Sequence, residues 1–276
     1  MEAMTHINAL RVILLLLACT CTSQSAIVIS TRDGSPAPTD LAAESSPQAA
    51  TDTPPGATSP LFSDDFGSGY EVKWLPPASG DGHVTDTQDG SNKTVTLDST
   101  NNDFTRLRTN LDGSYFTNTD ITASMRLRIE QAPSTTSKVR LDVRQSVDTE
   151  NIFYAVGATI ATDGSMTKLS IFKKVDDGTG NYTICMLKEG KFATPVAMNQ
   201  WRTIKLRISG TTSVHLAAYF EESEMANFVD DCVHTLTSTA GAAVPNGGCL
   251  PDQIGLGIQV EQGVVASVDD VVVTAP

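Results

Sequence analysis

Two acidic doublets, Asp64-Asp65 and Asp269-Asp270, carry the spacing that points most directly to chemistry. If the segments that hold them pair, four carboxylates come together, which is costly unless they are protonated, solvated or neutralised by a hard cation with oxygen ligands. A structural Ca2+ held by Asp64, Asp65, Asp269 and Asp270 is one expectation; two exposed acidic turns at strand ends is the other. The Asp/Asn-rich stretches 86–92, 101–103 and 176–181 read as turns, and none has EF-hand spacing. His83, His215 and His234 are scattered, without a nucleophile elbow or a reactive-cysteine context, so a hydrolase triad has no support. Phosphate-binding glycine loops and dinucleotide fingerprints are absent.

The elements that must position such residues are strands. After Leu61 the chain falls into short alternating segments divided by Gly, Asp, Asn and Ser, the pattern of an antiparallel sandwich or barrel. Twelve segments qualify: 61–66, 93–97, 104–108, 121–129, 139–144, 153–160, 168–174, 182–187, 201–208, 214–220, 254–260 and 264–273. Helical periodicity is nearly missing; the best helix candidate is Glu221 to Phe228, which reads equally as a loop. Val268, Val271 and Val273 keep no single alternation, so a bulge is expected at Asp269-Asp270.

Before that region the chain has a different character. The run from Ile13 to Ala18 is too short to span a bilayer, which needs about 20 apolar residues, and fits the apolar part of a secretory signal. Leu16-Leu17-Ala18-Cys19 reads as a lipobox, which makes 1–18 a lipoprotein signal peptide and Cys19 the lipidated residue; the alternative is an ordinary signal cut near Ala18 or Ser23. Residues 19–60 are rich in Ser, Thr, Ala and Pro and have almost nothing to bury, so they are expected to form a disordered tether. About forty such residues reach roughly 35 Å. Residues 61–276 form the folded domain. The expected address is across the inner membrane and anchored to the cell envelope, at the outer membrane or cell surface, with the lipid as the one membrane contact.

Export permits disulfides. Cys232 and Cys249 flank a loop containing Gly and Ala and are the expected pair; Cys185, inside the alternating run Tyr182 to Met186, is expected to pack as a small hydrophobe. No His or Cys stands at ligand spacing beside these thiols, which argues against a zinc site. With 19 Lys and Arg against 32 Asp and Glu, the chain carries a net charge of −13. Nucleic acid and anionic membrane surfaces are therefore unfavourable partners.

Three pieces share a family pattern. Leu61-Phe62-Ser63-Asp64-Asp65-Phe66 opens the domain, Trp201-Arg202-Thr203-Ile204-Lys205-Leu206-Arg207-Ile208-Ser209-Gly210 lies in its final third, and Ser267-Val268-Asp269-Asp270-Val271-Val272-Val273 closes it. Together they resemble the concanavalin A-like, laminin G-like jelly rolls of secreted bacterial proteins, whose ends are marked by F-x-D-D-F and D-D/N-V strands. The resemblance covers nearly all of 61–276 and implies an all-β fold, a concanavalin A-like jelly-roll β-sandwich, with 153–157 and 169–172 in the concave sheet. Trp201, followed by Ile204, Leu206 and Ile208, is expected to cover the core edge rather than to serve as a sugar platform.

Relatives of this shape that cleave glucans carry an E-x-D-x-x-E strand, which is missing here; the nearest fragment, 142–150, lacks the spacing. Lyases of similar shape use a base with cationic and amide groups that neutralise a uronate, and Arg140, Arg144, Gln145 and Tyr154 are groups of those kinds, although the lyase strand signatures are absent. With no catalytic pair found, the expectation is a non-catalytic, monomeric binding module for a glycan or cell-surface polysaccharide. Sugar sites combine an aromatic face with planar polar groups, and the candidates are Trp74, Arg140, Arg144, Tyr154 and Lys173. A glycoside hydrolase or polysaccharide lyase with an unrecognised site, and a structural or adhesive envelope protein, stand as alternatives.

Overall fold

In the computed structural model the described residues are 59–77, 81–110, 120–146, 151–250 and 255–276. The segment expected to be a signal peptide, Cys19 and nearly all of the expected tether lie outside them. Seventeen strands follow in chain order: β1 (Phe62–Asp64), β2 (Trp74–Leu75), β3 (His83–Asp89), β4 (Asn92–Asp98), β5 (Phe104–Thr109), β6 (Ile121–Gln131), β7 (Ser137–Gln145), β8 (Phe153–Ile160), β9 (Ser165–Asp176), β10 (Tyr182–Ala197), β11 (Arg202–Ser209), β12 (Val214–Phe220), β13 (Ser223–Asp230), β14 (Leu236–Thr237), β15 (Ala243–Val244), β16 (Gly255–Glu261) and β17 (Val265–Thr274).

Alternation decides which side of each strand meets the core. Along β6, Ile121, Ala123, Met125, Leu127 and Ile129 are buried while their neighbours are half-exposed. The same rule turns Leu141 and Val143 of β7, Val156 and Ala158 of β8, and Ile258 and Val260 of β16 inward. Two antiparallel sheets stack on these residues. Sheet 1 runs β13-β12-β11-β6-β17-β4-β3, with β1 beside β17; sheet 2 runs β10-β9-β8-β7-β16-β5-β2. The chain changes sheet repeatedly, between β1 and β2, β2 and β3, β4 and β5, β5 and β6, β6 and β7, β10 and β11, and β16 and β17, the crossing connectivity of a jelly roll.

The opening and closing strands do pair, Phe62 with Val273 and Asp64 with Val271. The expected bulge is present: the register of β17 against β6 shifts between Asp269 and Val272, and Asp270 has φ 46°. The proposed helix is corrected. Glu221 and Glu222 are the tight turn between β12 and β13, with Glu221 at φ 52°, and Ser223–Asp230 is an edge strand paired along β12. Its helix-forming residues yield to the partner strand, whose ladder supplies the backbone hydrogen bonds.

Cys232 and Cys249 form a disulfide, with Cα atoms 5.1 Å apart, that closes the loop after β13. Cys185 is buried against Val175, Leu236 and Val244 beneath that loop. Because the bridge spans 17 residues, removing it with Cys232→Ser and Cys249→Ser is expected to cost about 3 kcal/mol in the chain-entropy model. That corresponds to a melting midpoint lower by roughly 6–12 °C for a domain of this size, measured by calorimetry. An unchanged midpoint would mean that the loop's other contacts hold it alone.

Candidate functional site

The outer face of sheet 2 is a continuous field of side chains set by register. One row across the strands reads Arg108, Gly257, Asp142, Ala155, Phe172 and Met186; the next reads Arg106, Gln259, Arg140, Gly157, Ser170 and Glu189. Each is out of phase with the core residues of its strand. Two glycines open room in this field. A Cβ on Gly257 would lie 3.3 Å from Asp142 and 3.0 Å from Gln145, and one on Gly157 would lie 2.8 Å from the Phe172 ring and 3.0 Å from Arg140. Their absence lets Asp142 lie over the sheet and lets Arg140 extend along it.

A cleft of about 410 Å³ opens on this face, bordered among others by Asp103, Phe104, Arg106, Arg140, Lys174, Ile184, Gln259 and Glu261. Arg140 donates to Glu261 at 3.0 Å and stands 3.6 Å from Asp142. Lys138 lies 3.5 Å from Glu261, and Lys174 donates to Asn151 at 2.8 Å. The aromatic rings sit beneath cations: Arg140 and Lys174 are 5.7 and 5.8 Å from the Phe153 ring, Lys138 is 5.9 Å from Phe172, and Arg106 is 5.3 Å from Phe104. Such stacking is favourable and leaves charge, rather than a ring face, toward the cleft.

Two acceptor groups of this face lack a hydrogen bond among the described residues. Asp142 is fully buried, and neither carboxylate oxygen has a hydrogen bond among the described residues. Burial pushes its carboxyl up, against the pull of Arg140, Arg106 and Lys174. Gln259, 6% exposed, borders the cleft with its Oε1 unpartnered among the described residues. Lys174 is pushed down to about 8, first by burial and then by repulsion from Arg106 and Arg140. Perturbed groups of this kind gather where a ligand or reaction needs them.

Of the residues chosen from the sequence, Arg140 alone belongs to this cleft, on its floor. The other four are corrected, because each is buried and hydrogen-bonded to groups inside the fold. Trp74 donates to Asp64 at 2.6 Å and packs against Phe62 and Phe66. Arg144 donates to the carbonyls of Gly210 and Cys249. Tyr154 and Lys173 both donate to Asp230 at 2.7 Å, and Lys173 also reaches Asn246 and the Gly248 carbonyl. Burial would raise the Asp230 carboxyl, but the hydrogen bonds from Lys173, Tyr154 and Asn246 outweigh it and hold it low.

The four carboxylates of the acidic doublets do not converge on one point. Asp64 is spent on the Phe66 amide and the Trp74 indole, and Asp65 on the Gly67 amide. Asp65, Asp269 and Asp270 do border one hollow, but Lys93 lines it as well, and Arg126 stands 2.5 Å from Asp270 and 3.6 Å from Asp269. Among the described residues no three acidic, imidazole or thiol groups converge to hold an ion. Trp201 is also corrected. It stands an odd number of positions before Ile204, so its half-buried ring lies on the outer face of sheet 1, 5.1 and 4.9 Å from Arg126 and Arg128, with its N–H on Asp89.

Comparisons with known proteins bear on the fold. No family model and no curated protein matches this sequence. A Bacteroides ovatus mixed-linkage glucan GH16 enzyme, solved with a G4G4G3G product, superposes over 77% of this chain and 99% of its own, at 11% identity and a TM-score of 0.51. The carbohydrate-binding module CBM66 of Bacillus subtilis covers 74% and 96%, at 15% identity and TM-score 0.46. The β-glucanase of Bacillus licheniformis covers 78% and 98%, at 10% identity and TM-score 0.47. The chain has the concanavalin A-like jelly-roll fold. Arg106, Asp142, Lys174, Gln259 and Glu261 escaped the sequence reading, although the alternation of Arg140-Leu141-Asp142-Val143 already sets Asp142 on Arg140's side and opposite the core.

Lys174→Met tests the cost of the crowded cations. The folded chain carries that cost fully below about pH 8 and sheds it as pH rises toward the ordinary value of 10.5, because the unfolded state then binds the extra proton. The variant is expected to melt about 3 °C above the parent at pH 7, with the gap closing between about pH 8 and pH 10.5. A variant less stable than its parent at pH 7 would show that the ammonium is a structural tie.

Proposed function

We propose that the domain is a glycan-binding module that holds a saccharide chain in the cleft on the outer face of sheet 2 and does not cleave it. The observation that carries this reading is Gln259, a residue bordering a cleft also lined by guanidinium and carboxylate groups, whose buried Oε1 has no partner among the described residues. A sugar hydroxyl is the natural donor for such an acceptor, and planar polar groups are what orient a sugar ring. Catalysis by paired carboxyls has poor support in the same geometry. Asp142 offers no exposed surface, and Glu261 is engaged by Arg140 and Lys138.

The same reading places the module at the cell envelope as a monomer, with Cys19 lipidated and residues 19–60 as the tether. The acidic composition and the disulfide suit an exported protein. Cys19→Ser is expected to abolish incorporation of labelled palmitate and to release the protein from membranes; continued labelling would overturn the anchor.

For the cleft, Gln259→Leu removes an unsatisfied buried acceptor, so stability is expected to hold or rise. Affinity for whichever saccharide scores on a glycan array is expected to fall about tenfold. Unchanged affinity would move the site elsewhere, and release of shortened chains by the parent protein would replace binding with catalysis.

A further inference from the structure

We propose that the saccharide taken by this cleft is acidic, and that Arg106 and Lys174 receive its carboxylate or sulfate above a floor made by Arg140. The inference rests on the glycan-binding reading and adds the chemical class of the ligand.

Charge placement is the first ground. The chain has 13 more acidic than basic residues, yet β5, β7 and β9 bring Arg106, Arg140 and Lys174 to one cleft. Random placement on so acidic a surface would scatter its few cations among carboxylates. Here they stand close enough that Arg106 and Arg140 both push Lys174 toward its neutral form.

The second ground is the counter-charge. Facing Arg106, Arg140, Lys174 and the neighbouring Lys138 are Asp142 on β7, Glu261 on β16 and the exposed Asp103 just before β5, while β8 and β10 contribute Phe153 and Ile184. Glu261 is shared between Arg140 and Lys138. Asp142 lies under the surface, 3.6 Å from Arg140, without a hydrogen bond among the described residues, and burial favours its neutral form. Four cations, counting Lys138, against three carboxylates, of which Asp142 is driven toward protonation, leave a positive surplus at the cleft. An anion placed there relieves the mutual repulsion and forms charge-assisted hydrogen bonds.

The third ground is what a neutral sugar would miss. Stacking needs a bare ring face, and Phe104, Phe153 and Phe172 all lie beneath cations. A ligand entering this cleft meets guanidinium and ammonium groups first. Gln259 then reads a hydroxyl beside the charge.

Titration calorimetry on the full chain separates the possibilities, using oligogalacturonate, its methyl ester, dextran sulfate oligosaccharides and cello-oligosaccharides as probes. The expected result is binding of the uronate or the sulfated probe, with the ester and the neutral oligosaccharide at least about tenfold weaker. The relative affinity of the two anionic probes tells carboxylate from sulfate. Affinity for the anion should fall between pH 7 and about pH 9.5 as Lys174 loses its proton, and Lys174→Met should lower it about tenfold and flatten that dependence. Equal binding of ester, neutral and acidic probes overturns the charge inference and leaves glycan binding standing. Absence of binding to any saccharide overturns both, and an anion affinity untouched by Lys174→Met places the anion outside this cleft.

Discussion

The pairing of β16 with β7 at the centre of sheet 2 is the constraint on which the rest depends. It sets Gly257 beside Asp142 and Gln259 beside Arg140, so that the missing Cβ of one residue makes room for the carboxylate of the other. The ladder continues to β5 and β8 on either side and carries Arg106 and Gly157 into the same rows. A slip of one residue would send Arg140 and Asp142 into the core and Leu141 and Val143 onto the cleft. Core and cleft are thus specified together, and the apolar set that buries itself on one face fixes the charged set on the other.

Polar groups in this domain divide by whether they are satisfied. Inside, Asp230 accepts from Tyr154, Lys173 and Asn246, and Asp64 accepts from Trp74 and the Phe66 amide. These groups tie the disulfide-closed loop and the opening strand to the sandwich, and each spends its hydrogen bonds internally. At the cleft Gln259, and beneath it Asp142, stay buried with hydrogen bonds unmade among the described residues, and Lys174 is held against like charges. An unmade bond costs more than an absent group. Structure alone gives no reason to keep such costs side by side, whereas a ligand that completes them does.

Much of the fold was legible in the sequence because alternation is local. The strands 153–160 and 214–220 emerge with the very ends read from their residue types, and so do the bulge at Asp269-Asp270, the Cys232–Cys249 pair and the buried Cys185. The candidate site was far less legible. Tyr154, Lys173 and Trp74 look like sugar contacts by type, but Tyr154 is in phase with Val156 and Ala158, and Lys173 with Leu169 and Ile171, so both face the core. Phase would have exposed that error, as it would have for Trp201. The meeting of Arg106, Asp142, Lys174 and Gln259 is another matter: it joins strands far apart in sequence, and only the register of sheet 2 reveals it.

The most direct test of the central claim is a crystal structure of the full chain soaked with an acidic oligosaccharide. The account predicts the saccharide in the cleft on sheet 2, its anionic group within hydrogen-bond distance of Arg106 and Lys174 and a hydroxyl on Gln259 Oε1. A saccharide seated against Trp201, or in the hollow bordered by Asp65, Asp269 and Asp270, would contradict it.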